Sequence, residues 1–282
     1  MTDKELYRRG MGNWRAWGKE LDSIRAAADE WKSQLAGVEY PWLCWNVDDD
    51  WCLLQQRLVE AAGWTPVVGF DPRVGAPRSL TPTAIQIDFN RHFSLPVMYP
   101  HFPLEFVFLF TDRLAFWHSD LLVRFPQLQQ LALEFTRLKD GEMSAVSCVG
   151  WRNLFRPHKQ RFWELIGCTT RLASQKQFDA GCGWWLHFYD HPNRHVNAAD
   201  SRLDSHYWDH GAGIMYWKRK HGGKVKALRE KDFVEGHFSQ IKFDNYQRVS
   251  PNNELRDLRL DLSNNFQLKS CASKLQLDAF LD

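Results

Sequence analysis

Residues 43–70 begin Leu43-Cys44-Trp45-Asn46-Val47-Asp48-Asp49-Asp50 and end on Gly63 and Thr65-Pro66-Val67-Val68-Gly69-Phe70. The first five residues are apolar and aromatic at the length of a short buried strand. An Asp in 48–50 can cap a following helix, because its carboxylate accepts from the open N–H groups of a first turn. Amphipathic spacing then predicts a helix over 51–62, closed by Gly63. A second strand follows over 65–70. Strand, helix and strand in so short a span form a βαβ-type opening, which points to an α/β fold.

Upstream, Trp14, Trp17, Leu21, Ile24, Ala28, Trp31 and Leu35 recur at spacings of three and four with charges between them. This predicts a helix over 4–36, an N-terminal helical extension packed on the main domain. Downstream, the Pro-, Gly- and Arg-rich segment 71–83 reads as a loop. Strands are expected over 84–89, 106–110, 114–117 and 145–149, with later ones at 224–228 and 233–238. Helices are expected over 121–138, 160–173 and 209–220. The polar stretch after 250 reads as a tail or a short helical addition, packed on the domain or peripheral to it. The resulting division is an extension (1–39), one main domain (40–250) and a tail (251–282).

Hydrophobic content of 44% and charged content of 25% suit a soluble globular protein. Fourteen Trp and nineteen Phe are more than such a core requires, so some are expected at a binding surface, where a flat apolar ring suits sugars or bases. The net charge of +2 gives no global case for nucleic-acid binding. The charge is clustered, however. Arg152, Arg156, His158, Lys159 and Arg161 form one group, and Lys218, Arg219, Lys220, His221, Lys224, Lys226, Arg229 and Lys231 another. The six cysteines show no CxxC pair and read as reduced thiols. The first residues lack the apolar core of a signal peptide, and no apolar run reaches membrane-span length, so a cytoplasmic location is expected. No Gly-x-Ser-x-Gly elbow and no HExxH occur, which argues against the common serine and zinc hydrolases.

Three motifs carry chemistry. His118-Ser119-Asp120 follows an apolar strand and precedes Leu121-Leu122-Val123. Alternate strand residues project to one face, so an imidazole and a carboxylate meet there. Gln177-Phe178-Asp179-Ala180-Gly181-Cys182-Gly183 contains small residues that permit close backbone approach. Gly236-His237-Phe238-Ser239-Gln240-Ile241-Lys242 places a His and a cation near the end of the domain.

In this order, the three motifs resemble the metal, sugar and diphosphate elements of GT-A fold glycosyltransferases, family 8 in particular. The resemblance implies an α/β, GT-A-like (Rossmann-related) mixed sheet flanked by helices. It also implies a transferase that moves a sugar from a nucleotide-diphosphate sugar donor with a divalent cation. His118 and Asp120 stand where the family has Asp-x-Asp, and with His237 they would hold that cation. Replacing the first carboxylate by imidazole shifts the expected ion from Mg²⁺ toward Mn²⁺, Co²⁺ or Zn²⁺. Asp179, Ala180 and Gly181 match the family's Phe-Asn-Ala-Gly loop with Asp in place of Asn; they would contact the donor sugar, with Asp179 a further catalytic candidate. Lys242 would hold the diphosphate. Apart from the resemblance, Asp48-Asp49-Asp50 follows the first strand, where α/β folds bind ligands, and one of them, Asp49 being the candidate, is expected to bind the base or ribose. Trp184 and Trp185 would line the acceptor pocket. Asp209, in Tyr207-Trp208-Asp209-His210-Gly211, is the candidate base if configuration is inverted and an orienting acid if it is retained. The acceptor is expected to be a glycan, with nucleic acid as the alternative. Other readings are a nucleic-acid-binding protein, a transferase acting on DNA bases, or a degenerate GT-A domain that binds without transfer.

Overall fold

The computed structural model describes residues 21–94, 98–148, 161–184, 211–238 and 266–281, and the structural statements below concern these residues. The 43–70 unit folds as its sequence dictates. β1 (Pro41–Asn46) leads into helix α2 (Asp49–Ala61), which follows α1 (Leu21–Gln34) in the chain, and β2 (Thr65–Phe70) closes the unit. Asp48 caps α2, its Oδ1 accepting from the N–H groups of Asp50 and Trp51 at 3.0 Å each. β1 and β2 pair in parallel from Pro41↔Thr65 to Asn46↔Phe70.

Five further strands complete the sheet: β3 (Ile85–Gln86), β4 (Arg113–Trp117), β5 (Glu142–Ser147), β6 (Phe162–Thr170) and β7 (Lys224–Arg229). Their order is β3-β2-β1-β4-β6-β5-β7. β6 runs antiparallel to its neighbours β4 and β5, while the other pairings are parallel. The chain leaves β1 for β2 on one side and later returns to place β4 on the other. The order therefore reverses at β1, and connections leave the carboxyl ends of β1 and β4 in opposite directions. Ligand crevices form at such points in α/β sheets.

β1 is buried along its whole length and feeds two cores. Leu43 and Trp45 pack on one face with Ile24 and Trp31 of α1, and with residues of α3 (His101–Glu105), α4 (Val107–Phe110), α6 (Arg171–Asp179) and α7 (Ala212–Lys220). Trp42 and Cys44 pack on the other with Leu54 and Leu58 of α2, and with α5 (Phe125–Thr136) and α8 (Phe266–Lys274). The protein is thus α/β, a seven-stranded mixed sheet flanked by helices. Trp31 alone meets Phe89, Phe102 and Phe110 edge-on. Burying one such side chain contributes roughly 1.5–3 kcal/mol.

Four expectations are corrected. The 106–110 segment is not a strand but Phe106, the residue between α3 and α4, followed by all of α4; a five-residue apolar run without a period does not separate the two states. The 160–173 segment is mostly β6, with α6 starting at Arg171. Both faces of β6 are covered, so its sequence shows no alternation of apolar and polar residues. The 84–89 strand shrinks to Ile85–Gln86, and the expected strand over 233–238 is a 3₁₀ turn, Val234–Gly236, followed by a single bridge at His237.

Candidate metal centre

β4 ends at Trp117, and His118-Ser119-Asp120 forms the turn beyond its carboxyl end. Both sides of that turn are pinned. The His118 N–H donates to Leu165 O at 2.9 Å. On the other side, the buried amide of Gln55, from α2, donates to His118 O at 2.8 Å and Leu121 O at 2.9 Å. Gln55 therefore ties two carbonyls of the turn to a helix of the βαβ unit.

His237 arrives from the far end of the chain. Leu121 and His237 form an antiparallel bridge, Leu122 N–H donates to Gly236 O at 3.0 Å, and Phe238 N–H donates to Asp120 O at 3.0 Å. This approach requires glycine at 236, since a Cβ there would stand 1.8 Å from Leu122 O. The half-buried Trp163 packs edge-on against both imidazoles, with ring centroids 4.8 Å from His237 and 5.7 Å from His118.

The result is a cluster in which one ligand atom each from His118, Asp120 and His237 lie within 4.8 Å of one another. Asp120 Oδ1 stands 3.5 Å from His118 Nδ1 and 3.5 Å from His237 Nε2. That oxygen is buried, and apart from these two long contacts it has no hydrogen bond among the described residues. Ligands about 2.1 Å from one ion stand roughly 3.0–3.4 Å apart at octahedral or tetrahedral angles. Spacings of 3.5 Å around an unsatisfied carboxylate oxygen fit a shared cation better than direct hydrogen bonds. The donor set of two imidazoles and one carboxylate suits Mn²⁺, Fe²⁺, Co²⁺ or Zn²⁺ over Mg²⁺.

Burial opposes charge on both His118 and Asp120, yet each favours the charge of the other. Despite that desolvation, Asp120 and Glu164 push His118 up to about 9. His118 and His237 likewise outweigh burial at Asp120 and hold its carboxyl well below the usual carboxylate range.

The other sequence candidates lie elsewhere. Asp49 sits in the first turn of α2, accepts from Asn46 Nδ2 at 3.1 Å and pairs with Arg78. Asp179 ends α6, exposed, and accepts from Gln175 Nε2 at 2.7 Å. With Ala180 it lines an open depression of about 460 Å³ together with Lys176, Trp217 and His221, none of them a member of the metal cluster. Gly181 follows in the left-handed region at φ 65°. Trp184 is fully buried and packs edge-on against Phe116, a core position rather than an exposed wall. Trp185, Asp209 and Lys242 lie outside the described residues.

Among the described tryptophans, eight are core and Trp163 alone is half-buried, so these tryptophans serve mainly packing. Of the second basic group, Lys226 pairs with Glu134 and Arg229 with Asp232. Sequence reading passed over Gln55, Trp163, Glu164 and His101. A lone acid inside the apolar run Phe162-Trp163-Glu164-Leu165-Ile166 was the available signal, masked by reading that run as a helix. No protein-family model, curated protein or solved structure matches the chain.

Proposed function

We propose that this protein is a glycosyltransferase of GT-A type that moves a sugar from a nucleotide-diphosphate donor with the help of a divalent cation. The observation that carries the reading is the convergence of His118, Asp120 and His237 beyond the carboxyl end of β4, beside the point where strand order reverses. A mixed sheet flanked by helices on both faces is the scaffold that the GT-A resemblance implies, and it supports the assignment.

In this reading His118, Asp120 and His237 hold the cation, with Mn²⁺ preferred over Mg²⁺ because two of three ligands are imidazoles. Bound there, the ion would neutralise charge on the departing diphosphate. Trp163 flanks both imidazoles and limits their rotation. The roles of Asp179, Ala180 and Gly181 toward the donor sugar, Lys242 toward the diphosphate, Asp49 toward the nucleoside, and Asp209 and Trp185 toward the acceptor rest on the motifs alone. The acceptor is a glycan in the leading form of this proposal.

The test is a thermal-shift panel of nucleoside diphosphates and nucleotide sugars, with and without Mn²⁺. Ligands that bind the native state raise its melting temperature. A metal-dependent shift with one nucleotide, abolished in Asp120→Ala and in His237→Ala, is the expected result. The absence of a shift with every nucleotide, with and without metal, would overturn the donor assignment.

A further inference from the structure

Behind the metal centre lies a carboxylate that the transferase reading does not use. Glu164, on β6, is 3% exposed and stands between the apolar residues Trp163 and Leu165. Its Oε1 lies 2.8 Å from His101 Nε2 and 3.3 Å from His118 Nε2. The other nitrogen of the His118 ring, Nδ1, faces Asp120 Oδ1. Glu164 and the candidate ion position thus lie on opposite edges of one imidazole.

Binding a cation displaces one proton from the ring, and the neutral imidazole that remains keeps its single proton on whichever nitrogen meets the better acceptor. A carboxylate at Nε2 draws the proton there and leaves the Nδ1 lone pair available to a cation. The backbone of His118 is already fixed, through Leu165 O on one side and Gln55 on the other. What remains free is the ring's own rotation, and Glu164 and the edge of Trp163 limit it. Burying a carboxylate is costly unless it is well partnered, so its presence in a central strand calls for a partner that needs it. His101, itself buried and on α3, contacts the same oxygen, Oε1, more closely than His118 does.

We propose that Glu164 is the positioning residue of this metal centre. It holds His118 in the tautomer and orientation that present Nδ1 to a divalent cation, and His101 fixes Glu164 in turn. The inference rests on the reading that His118, Asp120 and His237 bind a cation.

Two measurements test it. In protein labelled with ¹⁵N-histidine and loaded with Zn²⁺, the His118 signals, assigned by their loss in His118→Gln, should show Nδ1 bound to metal and Nε2 protonated. A metal-bound Nε2 in the wild-type protein would overturn the proposal without recourse to a Glu164 variant. Mn²⁺ titration followed by electron paramagnetic resonance should then show Glu164→Gln binding roughly tenfold to a hundredfold more weakly than wild type. Equal affinity in a folded Glu164→Gln protein would also overturn it, leaving the metal reading intact. If wild-type protein binds neither Mn²⁺ nor Zn²⁺, the metal reading itself fails first, and the role of Glu164 fails with it. Should Glu164→Gln not fold, the wild-type nitrogen assignment alone decides.

Discussion

Asp120 Oδ1 lies 3.5 Å from His237 Nε2, although the two residues leave the sheet at different places. Asp120 follows β4, near the middle, whereas His237 follows β7 at the edge, with β5 and β6 between them. The 3₁₀ turn Val234–Gly236 and the Leu121–His237 bridge bring the late segment back to the end of β4. A ligand set assembled from two such distant segments depends on the fold and not on local sequence.

The donor set predicts ion selectivity. Two imidazoles and one carboxylate should favour Mn²⁺, Co²⁺ and Zn²⁺ over Mg²⁺ at equal concentration. At about a hundred times its dissociation constant, an ion stabilises the folded state by roughly 2.7 kcal/mol. Melting temperatures measured across these ions should rise accordingly for wild type and stay flat for Asp120→Ala. A shift with Mg²⁺ as large as that with Mn²⁺ would count against imidazole ligation.

Gly236→Ala should damage the centre without touching a ligand. A methyl group there meets Leu122 O at 1.8 Å, so the two segments must part and His237 must move with the turn that carries it. Overpacking of this kind costs about 1–3 kcal/mol. Chemical denaturation should register that loss, and Mn²⁺ affinity should fall in parallel. Unchanged stability and unchanged Mn²⁺ binding would show that the bridge does not set the position of His237.

Much of this architecture was readable from particular residues. The 43–70 unit carries its own punctuation in Asp48 and Gly63, and β2 has the bounds its apolar run gives. His118, Asp120 and His237 were selectable through the likeness of their motifs, taken in order, to the metal elements of GT-A glycosyltransferases. The segment 160–173 was not readable, because a central strand covered on both faces loses the alternation that identifies strands. That error hid Glu164. Gln55 was hidden differently: a helical glutamine gives no sign that its amide will reach two carbonyls of a distant turn.

Gln55→Leu tests that support. The substitution keeps an apolar-compatible volume but removes both donors, leaving His118 O and Leu121 O without the amide. Unsatisfied buried carbonyls cost about 1–3 kcal/mol each before relaxation. We expect lower stability by roughly 2 kcal/mol or more in urea denaturation, and weaker Mn²⁺ binding as the turn loosens. A variant of wild-type stability would mean that the amide is not a significant anchor.

The pH dependence of folding should carry a signature of Asp48. Burial pushes its carboxyl up to about 6, although two backbone N–H groups accepted by its side chain work in the other direction. An unfolded aspartate titrates near its ordinary value of 3.8. Because the folded value is the higher one, the native state holds the Asp48 proton more tightly than the unfolded state does. The stability linked to that proton is fully present below about pH 4 and is lost as pH rises through about 6. At pH 8 the buried charge is therefore a net cost, at most on the order of 3 kcal/mol. Asp48→Asn keeps an accepting oxygen for the α2 cap and removes the charge, since Asn and Asp are comparable caps. The variant should be more stable than wild type at pH 8 and nearly equal to it at pH 4. Urea denaturation at the two pH values measures the difference directly. A variant less stable than wild type at pH 8 would mean that the ionised carboxylate strengthens the cap by more than its burial costs.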